Sequence, residues 1–273
     1  MRTIPSITPQ EITAFRRKIL RFYKQHGRDL PWRRTTDPYR ITIAEIMLQQ
    51  TQVERVIPKY EEWIARWPNW KTLSLASNEQ LLRGWSGLGY NRRALLIGRL
   101  AKAVMHDHAG ILPDRPAELE TLPGIGPYTS RAILIFAFDR PLATIDTNIR
   151  RVLLHEFGLS DATAPAQLAQ FAFRVLPKRK SRDWHNALMD YSRLVLPKQI
   201  SAIRPVTRQS RFEGSARQVR GEIIRRLLRK QPVYLRRICL AMKRSPAEVE
   251  KIAKKMAEEG IIVLEKSRVR LVD

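Results

Sequence analysis

The stretch Leu122-Pro123-Gly124-Ile125-Gly126-Pro127-Tyr128-Thr129 decides how the chain is read. Two glycines one residue apart permit positive φ and leave backbone N–H groups uncovered. A helix beginning near Pro127 aims the positive end of its dipole at the same place. A phosphate fits such a turn and would be held without any reading of base sequence. Taken alone, a Gly-x-Gly turn reads more readily as a tight connection between core helices, so the sequence around it has to decide.

Working outward, Glu11 to Gln25 places Ile12, Phe15, Ile19, Phe22 and Tyr23 at helical spacing. Leu30-Pro31-Trp32 and Asp37-Pro38-Tyr39 break the pattern twice before Ile41 to Thr51 resumes it. From there to Phe138 helical stretches alternate with short Gly, Pro or Asn breaks, and no period-2 strand stands out, so the main body is expected to be all-α. Trp184 to Val195 is a further helix, and the basic run from Lys178 to Arg211 reads as a charged boundary and linker. Ala216 to Arg229 and Val233 to Met242 then read as helices. Ser245-Pro246-Ala247-Glu248 has the residues of a capping box opening a third, which Gly260 ends. Ile261 to Leu264 and Arg268 to Val272 alternate around a basic tip, as a hairpin does. Three helices and a hairpin make a winged helix-turn-helix whose third helix would enter a major groove; a winged module used for protein contacts is the alternative.

The 273 residues carry 50 Lys plus Arg against 26 Asp plus Glu, a net charge of +24, with 44% hydrophobic residues. A chain this apolar is not a disordered basic tail, and a protein this positive calls for a polyanion, nucleic acid first and an anionic membrane surface second. The single Cys239 rules out an intramolecular disulfide and a multi-cysteine metal site or iron-sulfur cluster. No apolar run is long enough to span a membrane. Met1 to Gln10 lacks the apolar core of a signal peptide, so a reducing, cytoplasmic location is expected, nucleoid-associated in a prokaryote.

With its surroundings, the hairpin resembles that of the helix-hairpin-helix (HhH-GPD) base-excision DNA glycosylases. That family expects an Asp about 20 residues after the hairpin, and Thr144-Ile145-Asp146-Thr147-Asn148 supplies it. By itself Asp146 reads as a helix N-cap; it can serve both purposes, and a carboxylate at a helix N-terminus is expected to stay ionised. Within the superfamily, residues 11 to 200 are most similar to the glycosylases that remove adenine mispaired with 8-oxoguanine. The matching strings are Arg28-Asp29-Leu30-Pro31-Trp32-Arg33, Asp37-Pro38-Tyr39, Ala44-Glu45-Ile46-Met47-Leu48-Gln49-Gln50-Thr51-Gln52-Val53, Gly87-Leu88-Gly89-Tyr90 and Ala187-Leu188-Met189-Asp190.

The resemblance implies an all-α, two-domain helix-hairpin-helix glycosylase fold with a C-terminal winged helix-turn-helix. Residues 1–29 with 137–203 would form a helical domain carrying Asp146, 30–136 a six-helix domain with the hairpin, and 204–273 the winged module. Breaking a purine's bond to deoxyribose needs a protonated leaving base and a negative charge beside the developing oxocarbenium ion. The resemblance assigns Glu45, between Ile43-Ala44 and Ile46-Met47, as the acid on the adenine and the group that positions water. Asp146, with Asn148, would balance the cation. The superfamily's lyase members carry Lys where this chain has Tyr128, so a monofunctional enzyme is expected, with Tyr128 near Glu45 or packing the hairpin against the core. Arg28, Trp32, Arg33, Leu48 and Asp190 would line the base pocket, though Arg28 and Asp190 fit a structural ion pair equally well. Gln49, Gln50, Thr51, Leu88 and Tyr90 would fill the gap left by the flipped base and meet the opposite purine. Gly124, Gly126 and Thr129 would hold phosphate.

The family's four cluster cysteines are replaced here by Tyr191 to Gln199, and its Nudix-like C-terminal domain by the winged module. The expected partner is double-stranded DNA bearing a mispaired or damaged base, bound by a monomer with no metal or other cofactor. The runner-up is a thymine or uracil mismatch glycosylase of the same fold; a third reading is a non-enzymatic DNA-binding regulator.

Overall fold

The structure, a computed structural model, describes residues 7–196, 211–229 and 233–272. The elements run α1 Pro9–His26, a 3-10 turn Pro31–Arg33, α2 Pro38–Leu48, α3 Val53–Arg66, α4 Trp70–Ser74, α5 Asn78–Gly84, α6 Arg92–Asp107, α7 Pro116–Leu119 and α8 Pro127–Phe138. They continue with α9 Thr147–Glu156, α10 Pro165–Val175, α11 Ser181–Leu194, α12 Ala216–Leu228, β1 Val233–Tyr234, α13 Leu235–Met242, α14 Pro246–Glu258, β2 Ile262–Glu265 and β3 Arg268–Leu271. Among the described residues no helix is long and apolar enough to cross a membrane.

Local chemistry starts these helices where the sequence places it. Thr8 closes a full capping box with Glu11 at the head of α1, and prolines occupy the first turns of α1, α7, α8, α10 and α14, where their missing N–H costs nothing. Pro38 therefore begins α2 instead of breaking a helix that resumes at Ile41, and α2 ends at Leu48, short of the expected Thr51. The α14 cap is half of the expected box: the Ser245 hydroxyl accepts from the Glu248 N–H, while the Glu248 carboxylate is drawn to Arg244 at 2.9 Å. Charge pairing outcompetes the reciprocal bond there.

The chain divides into two compact units. The first comprises residues 1–42, 114–120 and 126–208; the second comprises 43–113, 121–125 and 209–273. This differs from the division expected from sequence. In the first unit α1, α9, α10 and α11 close on Phe15, Ile19, Val152, Leu153, Phe171 and Trp184, with Phe15 edge-on to both Phe157 and Trp184. Here α8 packs on α11, so it belongs with this unit and not with the six-helix body.

In the second unit Trp63 stands edge-on to both Trp67 and Trp85. Gly98 lets α6 approach α5, because a Cβ there would lie 2.4 Å from Leu81. The winged module belongs to this unit. Its strands form an antiparallel sheet of order β1-β3-β2, with Val233 opposite Val269 and Leu264 opposite Val269 on the other side. The two-residue β1 is the one element of the module that the sequence pattern did not show. Residues 197–210, the later part of the Lys178 to Arg211 basic run, lie outside the described residues.

Candidate active site

Asp146 caps α9. Its Oδ1 accepts from the Ile149 N–H at 2.7 Å and its Oδ2 from the Asn148 amide at 2.9 Å, so the cap and the Asp146–Asn148 pair are one arrangement. Protein surrounds the carboxyl closely enough that desolvation, the largest influence, raises its pKa above the ordinary value; the hydrogen bonds from Ile149 and Asn148 pull the other way and do not cancel it. Burial thus outweighs the hydrogen bonds at the helix terminus in setting the direction of the shift.

The segment that presents Asp146 is fixed from α11. The Thr144 N–H donates to His185 Nε2 at 3.3 Å, and His185 Nδ1 donates to the Ser181 carbonyl at 2.7 Å. This pattern requires a neutral ring with its proton on Nδ1. Burial agrees, lowering the His185 pKa to about 4 against the opposing Ser181 hydrogen bond and Asp139 charge. Asp139 accepts from the Arg182 N–H at 2.7 Å, and Arg182 reaches the Ala137 carbonyl at 3.1 Å. Sequence reasoning missed His185; the only signal was a histidine two residues before the Ala187-Leu188-Met189-Asp190 string.

Asp190 is fully buried beneath two arginines. Arg28 donates its backbone N–H and Nε at 2.8 and 2.6 Å, and Arg33 donates Nη1 and Nη2 at 2.6 and 3.0 Å. Burial favours the protonated acid, but the Arg33 and Arg28 contacts together hold the carboxyl below its ordinary range. The ion-pair alternative is the one realised. Asp190 is saturated and has no surface to offer a base, so it is withdrawn from the pocket-lining set; Trp32 is also buried.

In the hairpin only Gly124 uses left-handed backbone, at φ +82°, where a Cβ would come within 3.2 Å of Leu96. Gly126 has φ −101° and caps α8 with no side-chain hydrogen bond. A Cβ there would meet nothing within 4 Å, so glycine at this position leaves open space over the head of the helix. Tyr128 is 38% exposed in the first turn. Thr129 is buried.

Within the second unit, Glu45 is half-buried on α2 between buried Ala44 and Ile46, and Leu48 is half-buried at the helix end. The chain then turns through exposed Gln50 at φ +55°. The Gly87-Leu88-Gly89-Tyr90 loop contains three left-handed residues, Gly87, Gly89 and Tyr90. Leu88 is 5% exposed, so it is a core residue of this loop and not the protruding wedge expected; Tyr90 is half-buried.

One side chain gathers both loops. Buried Arg93 donates Nη1 to the carbonyls of Ile46 and Gln49 at 2.7 Å, and Nη2 to the Thr51 hydroxyl at 3.2 Å and the Leu88 and Gly89 carbonyls at 3.3 and 3.2 Å. Burial lowers its pKa to about 10, which leaves it charged at neutral pH. Gln49, Thr51, Leu88 and Tyr90 are thus brought together through a residue that sequence reasoning passed over, because Asn91-Arg92-Arg93 reads as ordinary surface charge.

Residues 43–178 match the family described as HhH-GPD superfamily base excision DNA repair protein. An adenine DNA glycosylase of Mycobacterium tuberculosis is 35% identical over 245 residues, covering 81% of this chain and 80% of that one. The Homo sapiens adenine DNA glycosylase is 34% identical over 221 residues, covering 76% of this chain and 40% of that protein. Among solved structures, a thermostable thymine-DNA glycosylase aligns with a TM-score of 0.63 at 29% identity, covering 70% of this chain and 90% of that one. A non-covalent endonuclease III–DNA complex aligns at 0.62 with 18% identity, over 71% of this chain and 90% of that one, a likeness of fold. The expected helix-hairpin-helix glycosylase fold is therefore present, and the chain belongs to the HhH-GPD superfamily of base excision DNA repair proteins as a DNA glycosylase.

Proposed function

We propose that the enzyme excises adenine mispaired with 8-oxoguanine or guanine, by hydrolysis and without cutting the strand. The observation that carries this reading is the 35% identity to an adenine DNA glycosylase over four fifths of both chains; the desolvated Asp146 at the head of α9 supplies the matching chemistry. Glycosidic cleavage leaves positive charge on the sugar, and a carboxylate poorly solvated by water is stabilised by that charge more than a hydrated one would be. Glu45 protonates the adenine ring nitrogen and positions the water that completes the abasic site. Tyr128 has no amine with which to form a Schiff base, so the sugar–phosphate backbone stays intact. Base flipping costs a few kcal/mol of stacking, and Gln50 with Tyr90 fills the vacated space. The enzyme works as a monomer on duplex DNA.

A second reading, thymine or uracil opposite guanine, has the likeness to the thymine-DNA glycosylase behind it. One substrate panel separates the two. Purified protein without added metal should convert adenine opposite 8-oxoguanine into a site cleaved only after alkali. Release of thymine or uracil opposite guanine, with none of adenine, would transfer the assignment to the second reading. Strand cleavage without alkali would refute the hydrolytic course.

A further inference from the structure

The winged module touches the Gly87–Tyr90 loop at Arg217. Arg217, in the first turn of α12, places its guanidinium 5.3 Å from the centre of the Tyr90 ring and donates Nη1 to the Tyr90 hydroxyl at 3.2 Å. Arg93 lies 5.4 Å from the same ring centre. Tyr90 is therefore gripped by two cations, one from the loop's own helix and one from the C-terminal module. Aromatic rings attract guanidinium groups through their negative faces, and the bond to the hydroxyl fixes the ring's orientation as well.

The end of α12 that carries Arg217 is not free to drift. Arg83 on α5 donates to the Leu228 carbonyl at the far end of α12, and Arg220, one turn from Arg217, pairs with Glu259 beyond α14. Arg99 reaches the Glu259 carbonyl at 3.4 Å, and the Asn78 amide donates to the Val272 carbonyl at 3.1 Å. These contacts fasten the module to α5 and α6 at several points.

Its nominal reading helix, by contrast, has little charge preference for a phosphate-lined groove. Helix α14 carries Glu248, Glu250 and Glu258 beside Lys251, Lys254 and Lys255, and Lys254 is spent on Glu250 at 2.8 Å. The module's basic excess sits elsewhere, on α12, α13 and the hairpin tip.

We propose that Arg217 is a positioning residue, through which the winged module braces the Tyr90 loop in the shape that meets DNA. This rests on the reading of Tyr90 as a base-probing residue. The module then acts on the lesion site through the protein, whether or not it also touches the duplex.

The test uses the full chain as Arg217→Ala and Arg217→Lys. Amide hydrogen exchange on the free protein should rise about 10-fold across residues 86–91 in both variants, since lysine keeps the charge but loses the planar stack and fork. Amides within α14 should be unchanged. Affinity for a duplex carrying a tetrahydrofuran abasic analogue opposite guanine should fall about 5- to 10-fold, with the same dependence on salt as wild type; a lost phosphate contact would lower that slope by about one. Unchanged exchange across 86–91 overturns the proposal, and joined to a shallower salt slope it makes Arg217 a phosphate ligand instead. The exchange measurement needs no substrate, so it decides on Arg217 even if the panel above shows that adenine is not the excised base.

Discussion

The segment that presents Asp146 and the loop pair that carries Gln50 and Tyr90 are both held by a single buried nitrogenous side chain, but of opposite character. His185 is neutral and makes one bond to each of two backbone groups. Arg93 is charged and collects carbonyls from two loops while lying 5.1 Å from the Trp85 ring centre. A carboxyl proposed to face a developing cation would gain from a support that brings no positive charge of its own, and the neutral imidazole supplies order in that way. The two loops make a different demand. Their left-handed turns leave carbonyls converging inward, and only a cation with a fork of donors can satisfy that many acceptors at once.

The largest test removes the charge from the first region. Asp146→Asn should lower single-turnover base release about 10³-fold, in line with the loss of a principal electrostatic group. Asparagine is as good an N-cap as aspartate, so α9 should survive. The sign of the stability change follows from the raised pKa. An acid whose folded pKa lies above its unfolded one stabilises the fold when protonated and loses that contribution as pH rises, so at neutral pH the variant should be as stable as wild type or more so. Retained turnover in quench-flow assays would remove Asp146 from the chemistry.

In the second region, Arg93→Met keeps the apolar stem and strips the donors. Several buried carbonyls would lose their partners, and urea melts should show a loss of about 3 kcal/mol. If Arg93 only fills space, methionine should be tolerated to within about 1 kcal/mol. The comparison of regions would then fail.

His185 gives the first region a pH signature. Its pKa is lowered to about 4 from an ordinary 6.5. The unfolded chain therefore takes up the proton first as pH falls, and the stability His185 contributes is complete above about pH 6.5 and drains away between there and pH 4, by about 3 kcal/mol in all. His185→Gln should remove that slope, visible as the difference between wild-type and variant melts across this range. Parallel curves would mean that the imidazole is not held neutral.

Legibility divides along similar lines. Asp146 is readable as a cap because the rules of a helix start operate over four residues. Asn148 as a site residue and the hairpin as a phosphate holder are readable only through the family resemblance, since a Gly-x-Gly turn alone reads as a tight connection. Arg93 and His185 are not readable, because their partners lie up to 47 and 41 residues away and, the Thr51 hydroxyl apart, are backbone atoms, which leave no trace in side-chain pattern. Leu88 shows the converse limit: a motif can place a residue in the right loop without saying which way packing turns it. The saturation of Asp190 by Arg28 and Arg33 likewise depends on chain closure over 157 to 162 residues.

The smallest effect is expected at Gln50, and it sharpens the contrast. Gln50 holds φ +55° without being glycine, a conformation that costs an L-residue roughly 1–2 kcal/mol. Gln50→Gly should relieve that strain, although the greater freedom of glycine in the unfolded chain and the loss of the side chain's own interaction return most of the gain, leaving stability within about 0.5 kcal/mol of wild type. The same change removes the amide proposed to meet the opposite base, so discrimination between 8-oxoguanine and guanine partners should narrow while the rate on the better substrate falls only a few-fold. A variant as stable as wild type yet less selective would show that the loop holds its strained shape for recognition. If stability falls further than that, the Gln50 side chain is making contacts that outweigh its backbone strain, and the loop is then as fully packed as the segment that presents Asp146.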